Sequence, residues 1–140
     1  MEQTMMMIKP DAVGRNLIGK ILERVEGAGL TIARMRLLAL TPKEARTFYR
    51  VHEGKPFLES LVAFMSSGPV VALVVEGENA VVRLRKVVGA TNPAQAEPGT
   101  IRKDFAIDIE KNSVHASDAV ATAQDEIGFF GLGLDLRGSE

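Results

Sequence analysis

The stretch GPVVALVVEGENAVVRL, residues 68–84, sets a β-strand directly before a helix. Gly68–Pro69 ends what precedes it, because proline lacks the N–H that a continuing helix needs. Val70–Val75 then runs apolar without interruption, which predicts a central strand covered on both faces. Past Gly77 the period changes, and Ala80, Leu84 and Val87–Val88 recur at helical spacing.

Upstream, Leu58, Leu61, Val62 and Met65 at i, i+3, i+4 and i+7 predict a helix that stops at Gly68–Pro69. Thr41–Pro42 reads as an N-cap with proline at the first helical position, opening a helix to about Tyr49. Ile32–Leu40 alternates in part around Arg34 and Arg36 and predicts a strand. Ile18, Ile21, Leu22 and Val25 predict a helix closed by Gly29. Met5–Ile8 predicts a buried strand stopped by Lys9–Pro10–Asp11. Downstream, Gly89–Thr100 reads as a loop, a short strand lies near Val114, and a helix begins at about Asp118, with Ser117 and Asp118 as capping residues. The order β-α-β-α-α-β-α-loop-β-α predicts one α+β domain over residues 1–140. Short connections favour a ferredoxin-like antiparallel sheet with helices packed on one side over a doubly wound parallel sheet.

The 140 residues carry 17 Lys+Arg against 18 Asp+Glu, a formal charge of -1, and no cysteine. Disulfide scaffolds, cysteine-based zinc sites and thiol catalysis are thereby excluded. The charge balance gives no overall footprint for nucleic acid or an anionic membrane. The opening MEQTMMMIKPDAV lacks the basic front and length of a signal peptide, and no apolar run approaches the ~18 residues of a membrane-spanning helix. A cytoplasmic location is expected.

GRNLIGKI, residues 14–21, matches a phosphate-loop pattern, except that Ile21 stands where Ser or Thr must bind Mg²⁺. Ile18 and Ile21 also belong to an apolar helix face, so the segment is assigned to core. His115, in KNSVHASDAV (residues 111–120), is a better candidate. A neutral imidazole carries a free lone pair near physiological pH and serves as base, ligand or nucleophile. Taken alone, however, a polar loop histidine is more often structural. Lys9, Arg85 and Arg102, with Thr91, have the chemistry of a phosphate clamp, but their spacing does not show that they converge.

Five segments resemble the nucleoside diphosphate kinase family: KPDAV (9–13), FYRVHEGKPF (48–57), GPVVALVVEGENAV (68–81), GATNPAQAEPGTIRKDFA (89–106) and NSVHASD (112–118). The likeness runs in order over residues 4–127. It implies that His115 is a nucleophile that takes the γ-phosphoryl group of a nucleoside triphosphate and passes it to a diphosphate. By the same resemblance, Glu126 and Ser117 orient the ring, and Tyr49 lies near the reacting phosphate. Lys9 and Asn112 contact the sugar 3′-hydroxyl. Arg85, Thr91, Arg102 and His52 hold phosphates alongside a Mg²⁺ carried in by the nucleotide, with no dedicated protein metal site. Phe57, Leu61 and Ile109 form an apolar slot for the base. The implied substrates are ribo- and deoxynucleoside di- and triphosphates of broad base range, and the implied assembly is a homo-oligomer, tetramer or hexamer. Lys9 and Arg102 are expected to act in catalysis without affecting folding.

Ala116 departs from the family, which usually has glycine after the histidine. A need for positive φ there would make the methyl costly. The ending GLGLDLRGSE matches no family tail. Two other readings remain at this level: a module that binds nucleotide without turning it over, and an RNA binder using an open sheet face.

Overall fold

The computed structural model describes residues 1–132, so the expectation for the tail lies mostly outside the described residues. The chain runs β1 (Glu2–Ile8), α1 (Pro10–Gly14), α2 (Ile18–Gly27), β2 (Thr31–Ala39), α3 (Pro42–Phe48), a 3₁₀ turn (Arg50–His52) and α4 (Leu58–Met65). It continues with β3 (Pro69–Gly77), α5 (Ala80–Val88), a second 3₁₀ turn (Pro93–Gln95), α6 (Ile101–Phe105), β4 (Val114–Ala116) and α7 (Val120–Phe129). The strands form one four-stranded sheet in the order β2-β3-β1-β4, and every pairing is antiparallel. That is the ferredoxin-like arrangement expected from the sequence.

Helices cover both faces of the sheet, not one. Met5, Met7, Val70, Ala72 and Val74 face α3, α4 and α7, whereas Met6, Ile8, Val71, Leu73 and Val75 face α2 and α5. The reason lies in Val70–Val75 itself: a strand apolar at every position needs two covers. Met5 through Ile8 are each 0 % exposed. Burying a side chain of this size contributes about 1.5–3 kcal/mol, so the central pair anchors both layers. Among the described residues only the β2 edge is left uncovered, so the sheet offers no broad open face of the kind the RNA-binding reading requires.

Other differences are local. Thr41 forms the expected cap, its hydroxyl accepting from Glu44 N while the Glu44 carboxylate accepts from Thr41 N at 2.9 Å. Helices α1 and α6 leave no signal in the sequence, because five residues are too few to show a 3.6-residue period. Helix α7 begins at Val120 after Ala119, so neither Ser117 nor Asp118 caps it. The phosphate-loop lookalike is split between the end of α1 and the start of α2, and Ile21 is fully buried.

Candidate active site

Strand register brings the candidates together. In the β1–β4 pairing His115 lies opposite Met7, on the sheet face that meets α3, α4 and α7. Ala116 lies opposite Met6 and joins the cluster on the other face. It sits in a strand and is absent from the positive-φ positions, which among non-glycine residues are Asn16, Asn79 and Ser113. The alanine is therefore accommodated without strain.

His115 Nε2 lies 3.0 Å from Glu126 Oε2 and 3.1 Å from Oε1. The Glu126 carboxylate also accepts the Ser117 hydroxyl. A carboxylate facing Nε2 favours the tautomer with hydrogen on Nε2, leaving a lone pair on Nδ1. Phe48 meets the imidazole edge-on at 5.4 Å, and Tyr49 does so at 6.2 Å. The ring is held on several sides, yet its side chain keeps 23 % of its exposure.

Lys9 follows β1, and its ammonium donates to Asn112 Oδ1 at 2.9 Å. Burial and the nearby Arg102 charge lower its pKa to about 8. Asn112 in turn donates to Ile109 O at 3.1 Å and Thr91 O at 3.3 Å. Arg102, on α6, donates to Val114 O at 2.8 Å and Gly89 O at 3.1 Å. Burial, then Arg85, brings its pKa down to about 10. Gly89 ends α5 at φ +91, and a Cβ there would meet Thr100 Oγ1 at 2.6 Å, so only glycine fits this contact. Arg85 is exposed and donates to Ala116 O at 3.1 Å. Burial, Lys55 and His115 lower the pKa of His52, which stacks on Tyr49 with a centroid spacing of 6.1 Å.

All of the expected site residues except Ser117 line one cavity of about 630 Å³. Ser117 stands behind it, 1 % exposed, touching Glu126. Phe57 and Ile109 remain 45 % and 59 % exposed at its apolar side, with Leu61 buried behind them. The cavity also takes in Phe48, Val51, Glu110, Asp118 and Thr122, which sequence reasoning passed over. Glu110 and Asp118 adjoin chosen residues and were detectable as neighbours, whereas nothing in the spacing marks Thr122. One expectation changes: Lys9 and Arg102 are each 6 % exposed and bonded within the fold, so they also hold structure.

Among the described residues, no group of three His, Cys, Asp or Glu side chains converges as a metal site. Lys9, Arg85 and Arg102 line the same cavity as His115, and none of their hydrogen bonds within the fold goes to a carboxylate, so their charge can be offered to a bound polyphosphate. Fold and pocket together define a nucleotide-binding phosphotransferase.

Comparison with known proteins makes the class specific. The family described as nucleoside diphosphate kinase matches residues 2–131. The nucleoside diphosphate kinase of a Nitratiruptor species is 55% identical over 130 residues, covering 93% of this chain and 95% of its own. That of Nitrosococcus oceani is 54% identical, covering 96% and 94%. Among solved structures, the Aquifex aeolicus nucleoside diphosphate kinase superposes with a TM-score of 0.91 at 44% identity, covering 96% of this chain and 99% of that one. The chain belongs to the nucleoside diphosphate kinase family.

Proposed function

We propose that this chain interconverts nucleoside tri- and diphosphates by a ping-pong reaction through phosphohistidine at His115. The observation that carries the reading is the bond from His115 Nε2 to Glu126 inside the cavity that Lys9, Arg85 and Arg102 also line. In the first half-reaction the Nδ1 lone pair attacks the γ-phosphorus of a triphosphate. The Nδ1–P bond forms, the β–γ bridge bond breaks, and the diphosphate leaves with the bonding electrons. Glu126 keeps the Nε2 hydrogen and offsets the positive charge growing on the ring. In the second half, a terminal oxygen of another diphosphate attacks the phosphohistidine and restores the imidazole.

Arg102, Arg85 and Lys9 neutralise charge on the transferring group, where positioning and electrostatics supply most of the acceleration. Thr91 and His52 add phosphate contacts, Lys9 and Asn112 address the sugar 3′-hydroxyl, and Tyr49 lies near the reacting phosphate. A Mg²⁺ ion carried in by the nucleotide would offset the remaining phosphate charge. The base stacks at Phe57 beside Leu61 and Ile109, which accept any ring, so purine and pyrimidine, ribo and deoxy nucleotides are all substrates.

The protein works in the cytoplasm, where such nucleotides are made, and acts as a homo-oligomer. Support for assembly comes from β2, an edge strand with Met35 53 % and Leu37 64 % exposed. No described helix is long and apolar enough to cross a membrane.

Incubation with γ-labelled ATP and no acceptor tests the mechanism. Label should enter the protein, survive alkali, be lost in acid and discharge onto added GDP, and His115→Gln should not label. Acid-stable label would assign the chemistry to Ser or Thr and defeat the proposal.

A further inference from the structure

The apolar slot leaves one polar group beside the base unaccounted for. Glu110 is half-buried and lines the same cavity as Phe57, Leu61 and Ile109. Its Oε1 accepts the Ser60 hydroxyl of α4 at 3.0 Å, which ties the carboxylate across the mouth of the slot. Its Oε2 takes no hydrogen bond from the described residues.

We propose that Glu110 reads the edge of the base and favours guanine. Guanine presents N1–H and one N2–H side by side, the paired donors that a carboxylate accepts best. Adenine offers an acceptor at N1 beside its amino group, and uracil and thymine place a carbonyl on each side of N3–H. Each would set an oxygen or nitrogen lone pair against the Glu110 charge. The inference rests on the phosphotransfer reading and adds a base-selecting residue to it.

The carboxylate is fixed before any base arrives. Asp108 Oδ1 accepts the backbone N–H of Glu110 at 3.0 Å and that of Lys111 at 2.7 Å. Ile107 N donates to Lys111 O at 2.8 Å, and Asn112 Nδ2 holds Ile109 O at 3.1 Å. The segment from Ile107 to Asn112 is therefore a closed turn that carries Ile109 and Glu110 together. A polar group held in place discriminates better than one that must be ordered by the ligand.

The discriminating pair of substrates is GDP and inosine diphosphate, which differ only by the 2-amino group. The measurement is kcat/KM for each, with ATP as donor, for the unaltered enzyme, Glu110→Gln and Ser60→Ala. GDP should exceed inosine diphosphate by about fivefold to tenfold, in the lower part of what a carboxylate-to-base pair supplies at a half-open site. In Glu110→Gln, where an NH₂ donor group replaces one of the two acceptor oxygens, the ratio should fall to within about twofold of unity. Ser60→Ala should lower it by less, because Glu110 loses its tether but not its charge. Each ratio is taken within one preparation, so any loss of folded enzyme cancels. If Glu110 were only a strap, all substrates would fall together and the ratio would not move, which would overturn the inference and leave phosphotransfer standing. A complete lack of transfer to every diphosphate would overturn the phosphotransfer reading, and this inference with it.

Discussion

Tyr49→Phe should make the protein more stable and less active. The Tyr49 ring is wedged edge-on against Phe48 at 4.9 Å, and the residue is 6 % exposed. Its hydroxyl is buried without a hydrogen-bond partner in the described fold. Burial, then the Glu126 charge, pushes its pKa up, so it remains a protonated donor throughout the working range. Taking a hydroxyl out of water without a partner costs about 1–3 kcal/mol on the protein scale. Phenylalanine keeps the ring and removes that penalty, leaving a void only one oxygen in size. The unfolding free energy should rise by about 1 kcal/mol, or about 2–5 °C in Tm for a domain of this size. Thr4→Val is the control, since Thr4 Oγ1 is equally buried and unpartnered on β1. It should stabilise by a similar amount with turnover unchanged. Tyr49→Phe should instead lose about ten- to a hundredfold in kcat, because in the proposed mechanism the missing partner is the transferring phosphate. Denaturant unfolding and a coupled assay for ATP formation from ADP and GTP read both quantities. A Tyr49→Phe protein less stable than the original, or equally active, would refute the assignment of that hydroxyl to substrate.

Stability should also report Lys9. Its folded pKa of about 8 lies below the ordinary lysine value of 10.5, so the buried charge weakens the fold fully below pH 8 and is relieved as pH rises towards the unfolded value. Unfolding titrations should show stability rising across that window, and Lys9→Met should flatten the rise; an unchanged slope would show that Lys9 is not the group responsible. The free enzyme loses this cation over the same range, so kcat/KM should fall as pH rises through about 8, and the limb should move to higher pH in kcat, where bound phosphate favours the charge. Arg102→Ala should cost at least about a hundredfold in turnover and, because Val114 O and Gly89 O lose a donor, about 2 kcal/mol of stability. Normal stability in that variant would restore the simpler expectation of a purely catalytic group. Ala116→Gly should lower stability by about 1 kcal/mol, since it removes a methyl from the apolar face, without raising kcat. A faster enzyme would mean that the methyl does crowd the substrate.

Periodic segments declare themselves in the sequence. Leu58–Met65 and Ala80–Val88 fall almost where their apolar spacing places them, and the all-apolar Val70–Val75 lies in the sheet interior. The layering differs from expectation because helix patterns show which residues are apolar, not which side of the sheet they meet. Site residues divide by range. His115, Lys9 and the arginines are visible as chemistry, but their convergence depends on pairings such as Met7 with His115, about which spacing is silent. Glu126 is reached only through family likeness: on α7 it resembles any helix acid, and its role rests on a contact with the neighbouring strand. Ser117 shows the opposite error. It has the residue type of a helix cap, but its N–H pairs with Met5 O at 3.0 Å and its hydroxyl donates to Glu126, so it extends the end of β4 while α7 starts only after Ala119.

Lys9 and Arg102 are held in the pocket by contacts with neutral groups. Lys9 N donates to Ser113 O at 2.9 Å, so the end of β1 is locked to the turn entering β4. Ser113 has φ +74, a strained value for a residue with a side chain, and it lies between Asn112 and the His115 strand. That bend lets Asn112 turn towards Lys9 while Val114 and His115 resume β1 pairing two residues later. Arg102 fixes the same strand from the far side through Val114 O. The two cations are thus positioned by neutral oxygens, an amide and backbone carbonyls, rather than by carboxylates. Acidic partners would have made the empty protein more comfortable, but a phosphate would then have to displace them. Neutral acceptors satisfy the donors without cancelling their charge, so the lowered pKa values of Lys9 and Arg102 reflect burial first and mutual repulsion second, and a polyphosphate entering the cavity would offset both.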